Sequence, residues 1–350
     1  MNKVLTRRDF LKISSLAVTS LAFRPAFNFG ELEETDQIVR VAIESISVHS
    51  QPDETSFIKF QRYRDDLINI YYEVISDKKP KYNPLWYRVW GGYIHSAHVQ
   101  RVHVKLNPVP PYLSEGLYPI EITVPYTQSL FQRKDNTWTE SYLLYFDTVH
   151  WVVGITTGPD GEPWYRVRDE SLTYEKTLDY YIPAKHARII PVDETTPLAS
   201  EIPPEQKKIE VSLSDQELTA YQNGIVVLKT KVSTGLDYTP PGENTWKTPT
   251  GIFHVEIKMP SKHMGNSLPY NNALSDAYVL PGVSWVSFFE PKTGVAFHGT
   301  HWHQNFGMQM SHGCVNMKTE EARWLFRWIT PEADMQKMSS QGYGTQVTVY

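Results

Sequence analysis

The single cysteine among 350 residues, Cys314, sits in Met310-Ser311-His312-Gly313-Cys314-Val315-Asn316-Met317. A second histidine, His298, closes the apolar run Val295-Ala296-Phe297 sixteen residues upstream. These residue types at this spacing suit nucleophilic thiol chemistry. The thiolate is the reactive form, and an ordinary cysteine has a pKa of about 8.5, so a working one needs a base or a positive neighbour. It also needs backbone N–H groups aimed at the oxygen that gains charge; a glycine just before it lets the chain turn tightly enough to present them. A strand end and a loop of this length can return His298 to the side of Cys314. The bland alternative is a buried, inert cysteine serving as a small apolar residue. His298, His301 and His303 also make a His-x-x-His-x-His run, and zinc accepts histidine and thiolate. No Asp or Glu lies within 298–314, and the cysteine motif accounts for His298, so neither metal nor other cofactor is expected.

Together the motifs resemble the L,D-transpeptidases of the YkuD-like family. Its signature is His-Gly-Thr or His-Ser at a strand end, a short loop, then Ser-His-Gly-Cys, an aliphatic residue and Arg or Asn. This chain carries His298-Gly299-Thr300 and Ser311-His312-Gly313-Cys314-Val315-Asn316. Upstream, Thr248-Pro249-Thr250-Gly251-Ile252-Phe253 matches the family's Thr-Pro-x-Gly-x-Phe, after a strand ending Val232-Ser233-Thr234-Gly235. The resemblance covers residues 208–350. It implies that Cys314 is the nucleophile and His298 the general base, with the N–H groups of Gly313 and Cys314 as oxyanion hole and His312 contributing. It further implies two acyl transfers on peptidoglycan stem tetrapeptides. Cys314 would expel D-alanine, and an amine would then resolve the thioester, for cross-linking or wall decoration. An L,D-carboxypeptidase, in which water resolves the thioester, and a non-catalytic wall-binding protein are the alternatives. Asn316, Ser311, Trp302 and His263 are the candidate substrate contacts. Asn316 stands where many relatives have Arg. Trp302 either stacks on substrate or fills a gap under its loop. His263, in Lys262-His263-Met264-Gly265-Asn266, falls where the family places a flap. His301 and His303 are expected at the cleft mouth, in an exposed loop.

Short alternating strands must position these residues. Lys208-Ile209-Glu210-Val211-Ser212-Leu213 and Glu217 to Tyr221 alternate, Asn223-Gly224 reads as a hairpin turn into Ile225 to Thr230, and Thr345 to Val349 closes the chain. The one convincing helix runs from Thr319 to Trp328, capped by Thr319, with Ala322, Leu325, Phe326 and Ile329 on one face. Ahead of this, Trp86-Tyr87-Arg88-Val89 with Ile94-His95-Ser96-Ala97-His98 recurs as Trp164-Tyr165-Arg166-Val167 with Ile182-Pro183-Ala184-Lys185-His186, an internal repeat. Two units follow from it, 36–106 and 107–192, and they resemble bacterial SH3-like domains, the second more weakly. That implies two small barrels before a β-sandwich-type catalytic domain, a mainly β fold with one or more short helices. The repeated Trp and Tyr residues are either ligand platforms or fillers of small-barrel cores. Residues 193–207 read as a proline-rich, semi-rigid linker. Few contacts should then cross it, leaving 36–192 to hold the enzyme on the wall and dispensable for chemistry.

Residues 1–30 contain Thr6-Arg7-Arg8-Asp9-Phe10-Leu11-Lys12 and an apolar run from Ile13 to Phe23. They resemble a twin-arginine export signal, which implies a secreted protein of the cell envelope, periplasmic or extracellular. The run is about half the roughly 20 residues that span a bilayer, so no transmembrane domain is expected beyond an uncleaved signal. A net charge of −5 gives no reason to expect nucleic acid as a partner. A monomer is expected.

Overall fold

The computed structural model describes residues 37–170, 177–240, 245–265 and 279–350. The twin-arginine stretch and Asn266 of the expected flap lie outside the described residues. The fold is mainly β, with one α-helix of ten residues among the described residues.

The first unit contains β1 (Ile38–Val41), β2 (Ser45–His49), β3 (Ile58–Tyr63), β4 (Leu67–Asn69), β5 (Tyr72–Ile75), β6 (Leu85–Val89), β7 (Gly92–His95) and β8 (Val99–Val102). The second contains β9 (Tyr118–Ile122), β10 (Tyr126–Gln132), β11 (Trp138–Tyr145), β12 (Val149–Thr157), β13 (Pro163–Glu170), β14 (Thr177–Pro183) and β15 (Ala187–Ile189). The sequence repeat is a structural repeat. The second unit is one sheet in the order β11-β10-β14-β13-β12-β9-β15. The first has the same connectivity broken once, as β3-β2-β7-β6-β5 and β4-β1-β8. The break falls where β12 is replaced by two shorter strands, β4 and β5. Registers also correspond: Tyr87 faces Ile94 as Tyr165 faces Ile182. A three-residue 3-10 turn follows in each unit, ending in His98 or His186. Trp86, Tyr87, Trp164 and Tyr165 are all buried, so they fill cores and are not exposed platforms.

The C-terminal region packs two five-stranded sheets around one core. One sheet runs β18-β17-β16-β25-β19, from β16 (Lys207–Ser212), β17 (Glu217–Gln222), β18 (Ile225–Lys231), β19 (Gly251–His254) and β25 (Gln346–Val349). The other runs β23-β22-β21-β20-β24, from β20 (Ile257–Gly265), β21 (Val279–Glu290), β22 (Val295–Gly299), β23 (Val315–Met317) and β24 (Ser340–Gln341). Asn223 and Gly224 take φ of 52° and 77°, the left-handed pair that a two-residue hairpin needs. Helix α1 (Thr319–Trp328) buries Ala322, Leu325, Phe326 and Trp328 against the second sheet. Its N-cap is Lys318 and no side chain caps it, so the expected cap at Thr319 is displaced by one residue. Thr319 is buried in the first turn, against Gly299.

Residues 193–207 are not a free spacer. Arg327 donates to the carbonyls of Asp193 and Thr196, and Leu198 N–H donates to Arg327 O. Arg188 and Arg323 clasp Glu194 from both sides, and Leu198 and Ala199 pack on the C-terminal core. The expectation that few contacts cross this boundary does not hold. Proline density signals an extended backbone, but it does not say whether that backbone is docked. Both N-terminal units also touch the C-terminal region: the second meets its sheet, with Lys262 paired to Glu170 at 2.8 Å and Ser284 Oγ donating to Asp147 O at 2.6 Å, and the first meets the loop after β22, where Gln304 N–H donates to Ala97 O at 2.7 Å.

Candidate active site

β22 and β23 run parallel, with Phe297 opposite Val315 and His298 opposite Asn316. Side chains alternate along each strand, so the ladder has two faces. Phe297, Val315 and Met317 point into the main core with α1. His298, Cys314 and Asn316 share the opposite face, where Cys314 and Trp302 pack against the apolar cluster that contains Ala296. The alternation thus brings the two candidate catalytic side chains to one side, on a diagonal across adjacent strands.

His298 is buried and its Nδ1–H donates to Gly299 O at 3.0 Å. That bond fixes the tautomer, leaving the Nε2 lone pair free to take a proton. Burial lowers its pKa to about 4, so the ring is neutral at pH 7. Cys314 is half-buried. Desolvation raises its pKa to about 11, partly opposed by the Ala296 backbone N–H, so the resting group is a thiol. Its S–H donates to Gly294 O at 3.5 Å. The resting sulfur is turned toward the β21–β22 turn. Catalytic hydrogen bonds often tighten only once substrate is bound.

The turn carrying Cys314 is held by three other segments. Gly313 has φ of +131°, a conformation L side chains rarely adopt. Its carbonyl accepts from Thr248 Oγ1 at 2.7 Å, and the same hydroxyl accepts from Gly235 N–H at 2.8 Å. A Cβ on Gly235 would stand 2.0 Å from Trp246 O and 2.9 Å from Gly313 Cα. Threonine and glycine of the two upstream motifs are therefore the parts of a staple under the cysteine turn. Ser311 Oγ donates to Cys314 O at 2.5 Å and accepts from Gly313 N–H at 3.1 Å. Ser311 is thus spent on the turn, and the Gly313 N–H expected in an oxyanion hole is engaged by it in this state. His312 is exposed, its ring 4.0 Å from Trp246, edge to face.

The loop between His298 and Ser311 differs most from expectation. His301 and His303 are buried, not exposed at a cleft mouth, because the N-terminal units cover them. His303 Nδ1 accepts from Asn305 N–H at 3.1 Å, so its proton is on Nε2, 2.9 Å from the Asn316 amide. The structure places the amide nitrogen there, donor against donor, and leaves the amide oxygen buried and unpaired; turning the amide about its axis presents the oxygen to His303 and resolves the conflict. Burial lowers the His303 pKa to about 3. Trp302 is half-buried, 5.7 Å from the His298 ring, and packs against the same apolar cluster as Cys314. His263 is buried in β20, its Nδ1 2.6 Å from Asp169 Oδ2 of the second unit. That places it in an inter-unit contact rather than on a flap. Among the described residues, no three of His, Cys, Asp and Glu converge as a metal site requires. Residue types alone did not single out Arg40, Tyr145 or Asn305. Thr248 was visible as a motif letter but not as a staple.

Residues 206–349 match the family model YkuD, L,D-transpeptidase catalytic domain. Among curated proteins, L,D-transpeptidase 1 of Mycobacterium tuberculosis is 30% identical over 131 residues, 34% of this chain and 45% of that protein. The chain spans about half the length of the curated relatives it matches. Among solved structures, the catalytic domain of the Enterococcus faecium L,D-transpeptidase is 27% identical, covering 42% of this chain and 98% of that one, with a TM-score of 0.30. The transpeptidase LdtMt1, in complex with imipenem, is 20% identical over 69% of this chain and all of that one, with a TM-score of 0.32. Residues 206–349 are thus similar to the L,D-transpeptidase catalytic domains of the YkuD family.

Proposed function

We propose that this protein is a cysteine L,D-transpeptidase of the cell envelope, acting on peptidoglycan stem tetrapeptides. The observation that carries this is the shared face of the β22–β23 ladder, where a tautomer-fixed His298 and the thiol of Cys314 lie one diagonal apart. His298 Nε2 takes the Cys314 proton as sulfur attacks the carbonyl before the terminal D-residue. The carbonyl becomes a tetrahedral oxyanion, received by the N–H groups of Cys314 and Gly313 once Gly313 yields its bond to Ser311. Collapse breaks the peptide bond; the departing D-alanine amine takes the proton from the imidazolium, leaving a thioester on Cys314. An acceptor amine then attacks, gives its proton to His298, and the sulfur leaves and is reprotonated. This covalent route divides one difficult displacement into two easier ones.

Asn316, Trp302 and the exposed ring of His312 remain the nearest candidates for substrate contact. Ser311 and His263 are read as structural supports. The two N-terminal repeats are read as SH3-like modules, and the twin-arginine-like leader as the export signal. The test is a disaccharide-tetrapeptide incubated with enzyme and an amine acceptor such as a free D-amino acid, followed by mass spectrometry. Loss of D-alanine with a matching gain of acceptor is expected. Release of D-alanine with water alone incorporated would favour the carboxypeptidase alternative. A carbapenem should add its intact mass to wild type and not to Cys314→Ala; no adduct at millimolar drug would overturn the nucleophile assignment.

A further inference from the structure

A chain of stacked groups runs from the N-terminal half to the candidate base. Arg40, on β1, is 2% exposed. Its guanidinium bonds Asp65 at 2.9 Å, Gln100 at 2.9 Å and the carbonyl of His301 at 3.1 Å. It also lies 4.0 Å over the ring of Tyr145, the last residue of β11. Tyr145 stacks on the His301 ring at 5.3 Å and 29°. His301 meets Trp302 edge-on at 4.9 Å, and Trp302 lies 5.7 Å from His298. Backbone bonds clamp the same loop: Gln304 N–H donates to Ala97 O at 2.7 Å, and Asn83 Nδ2 donates to Gln304 O at 3.4 Å.

We propose that Arg40 and Tyr145 are positioning residues for the reaction, setting the loop 299–305 and, through Trp302, the ring of His298. The N-terminal units therefore complete the active site, contrary to the expectation that they are dispensable for chemistry. Two observations carry this independently of sequence motif. Arginine is a costly group to bury, and it is retained only where its donors are satisfied; here one donor is spent on a carbonyl 261 positions away. Each ring contact in the path falls within the centroid spacing at which aromatic pairs attract. A misplacement of about 1 Å at a reacting group can cost on the order of a hundredfold in rate, so a loop held from outside its own domain has leverage on turnover.

The inference rests on reading His298 and Cys314 as the base and nucleophile, so its test uses two readouts. The first is kcat and KM on the tetrapeptide. The second is alkylation of Cys314 by iodoacetamide, which reports the site without any transpeptidase assay because the chain has one cysteine. Tyr145→Ala and Arg40→Met should lower kcat at least tenfold with KM changed less than threefold, and should change the alkylation rate at least threefold. Tyr145→Phe keeps the ring and should stay within twofold of wild type in both. Tyr165→Ala removes an equally aromatic core side chain outside the path and controls for destabilisation, each variant being assayed 15 °C below its own Tm. If Tyr165→Ala loses kcat as Tyr145→Ala does, or if Tyr145→Phe is as impaired as Tyr145→Ala, the positioning role is overturned. If wild type lacks turnover while the alkylation differences hold, the transpeptidase reading fails and the positioning role stands.

Discussion

His263 on β20 and Asp169 on β13 join at 2.6 Å across 94 positions of chain, both side chains buried. The bond ties the second repeat to the sheet that carries Cys314. Lys262 and Glu170 pair beside it, and Gly282 of β21 sits so close to the His150 ring that a Cβ there would stand 2.1 Å from it. A fragment beginning near Glu205 would expose all of these surfaces at once. It is expected to lack a cooperative thermal transition and near-ultraviolet circular dichroism. In the full chain, Asp169→Leu leaves the His263 N–H buried without a partner, and should lower stability by about 1–3 kcal/mol, read from urea denaturation. A fragment with a sharp transition and full turnover would contradict this.

Acid should destabilise the protein early. Burial lowers the pKa of His95, His98, His150, His186, His298, His301 and His303, to about 3 for His150 and about 4 for His186. With folded values depressed below the usual 6.5 or so, the unfolded chain binds protons first as pH falls. Their contribution is therefore full above about pH 6.5 and is lost between there and about pH 3, the value for His150 and His303. Each fully buried ring contributes up to about 1.4 kcal/mol per pH unit in that window. Melting temperature measured from pH 7.5 to 5 should fall steeply, and His150→Gln should flatten the slope. A flat profile would mean these rings are hydrated.

The Cys314 thiol should behave as a poor nucleophile toward small reagents. A pKa of about 11 leaves little thiolate at neutral pH, so alkylation by iodoacetamide should rise about tenfold per pH unit from pH 7 to 10. An ordinary exposed thiol would level off near pH 9. A plateau below pH 8 would show instead a thiolate preformed by its surroundings.

Thr248→Val tests the staple beneath the cysteine turn. The methyl keeps the shape but removes both hydrogen bonds, leaving Gly313 O and Gly235 N–H unpaired and buried. Each loss costs about 1–3 kcal/mol. The variant should melt lower and acylate with a carbapenem at least tenfold more slowly than wild type, while Thr248→Ser should retain most of both. Equal rates in Thr248→Val and wild type would mean the turn holds its geometry without the bridge.

What the sequence disclosed was local. β16 to β18, the Asn223-Gly224 turn and α1 follow from alternation, turn chemistry and 3.6-residue periodicity, which are properties of neighbouring residues. His298 and Cys314 were legible because strand parity puts them on one face once β22 and β23 pair. His263, His301 and His303 were misjudged for a common reason. Each is polar and lies in or near a loop, so exposure is the default expectation. His263 and His301 are nevertheless buried against partners far along the chain, Asp169 and Tyr145, while His303 pairs with Asn316 thirteen positions on. No period or motif encodes such a partner. The docked segment 193–207 was missed in the same way, since Arg188, Arg323 and Arg327 hold it from other elements.

The pairing of His303 with Asn316 yields the last prediction. Asn316 stands two residues after Cys314, its side-chain amide 2.9 Å from His303 Nε2, while His303 Nδ1 accepts from Asn305 N–H; turning the amide about its axis makes its oxygen the acceptor of the Nε2–H. Nitrogen-correlated NMR of the histidines should therefore find His303 neutral and protonated on Nε2 at pH 6, opposite to the Nδ1 tautomer of His298. Asn316→Leu removes the acceptor and should lower stability by about 1–3 kcal/mol. Asn316→Asp replaces the amide with a carboxylate facing the same N–H, which favours the charged imidazolium. The His303 pKa should then rise from about 3 toward the measurable range. With its folded value raised, the stability lost to acid in wild type should be partly restored between pH 6.5 and 4. Turnover in Asn316→Asp should fall at least tenfold, because an added negative charge beside Cys314 disfavours both the thiolate and the oxyanion. Unchanged turnover and an unmoved His303 titration would mean that residue 316 faces away from both groups in solution.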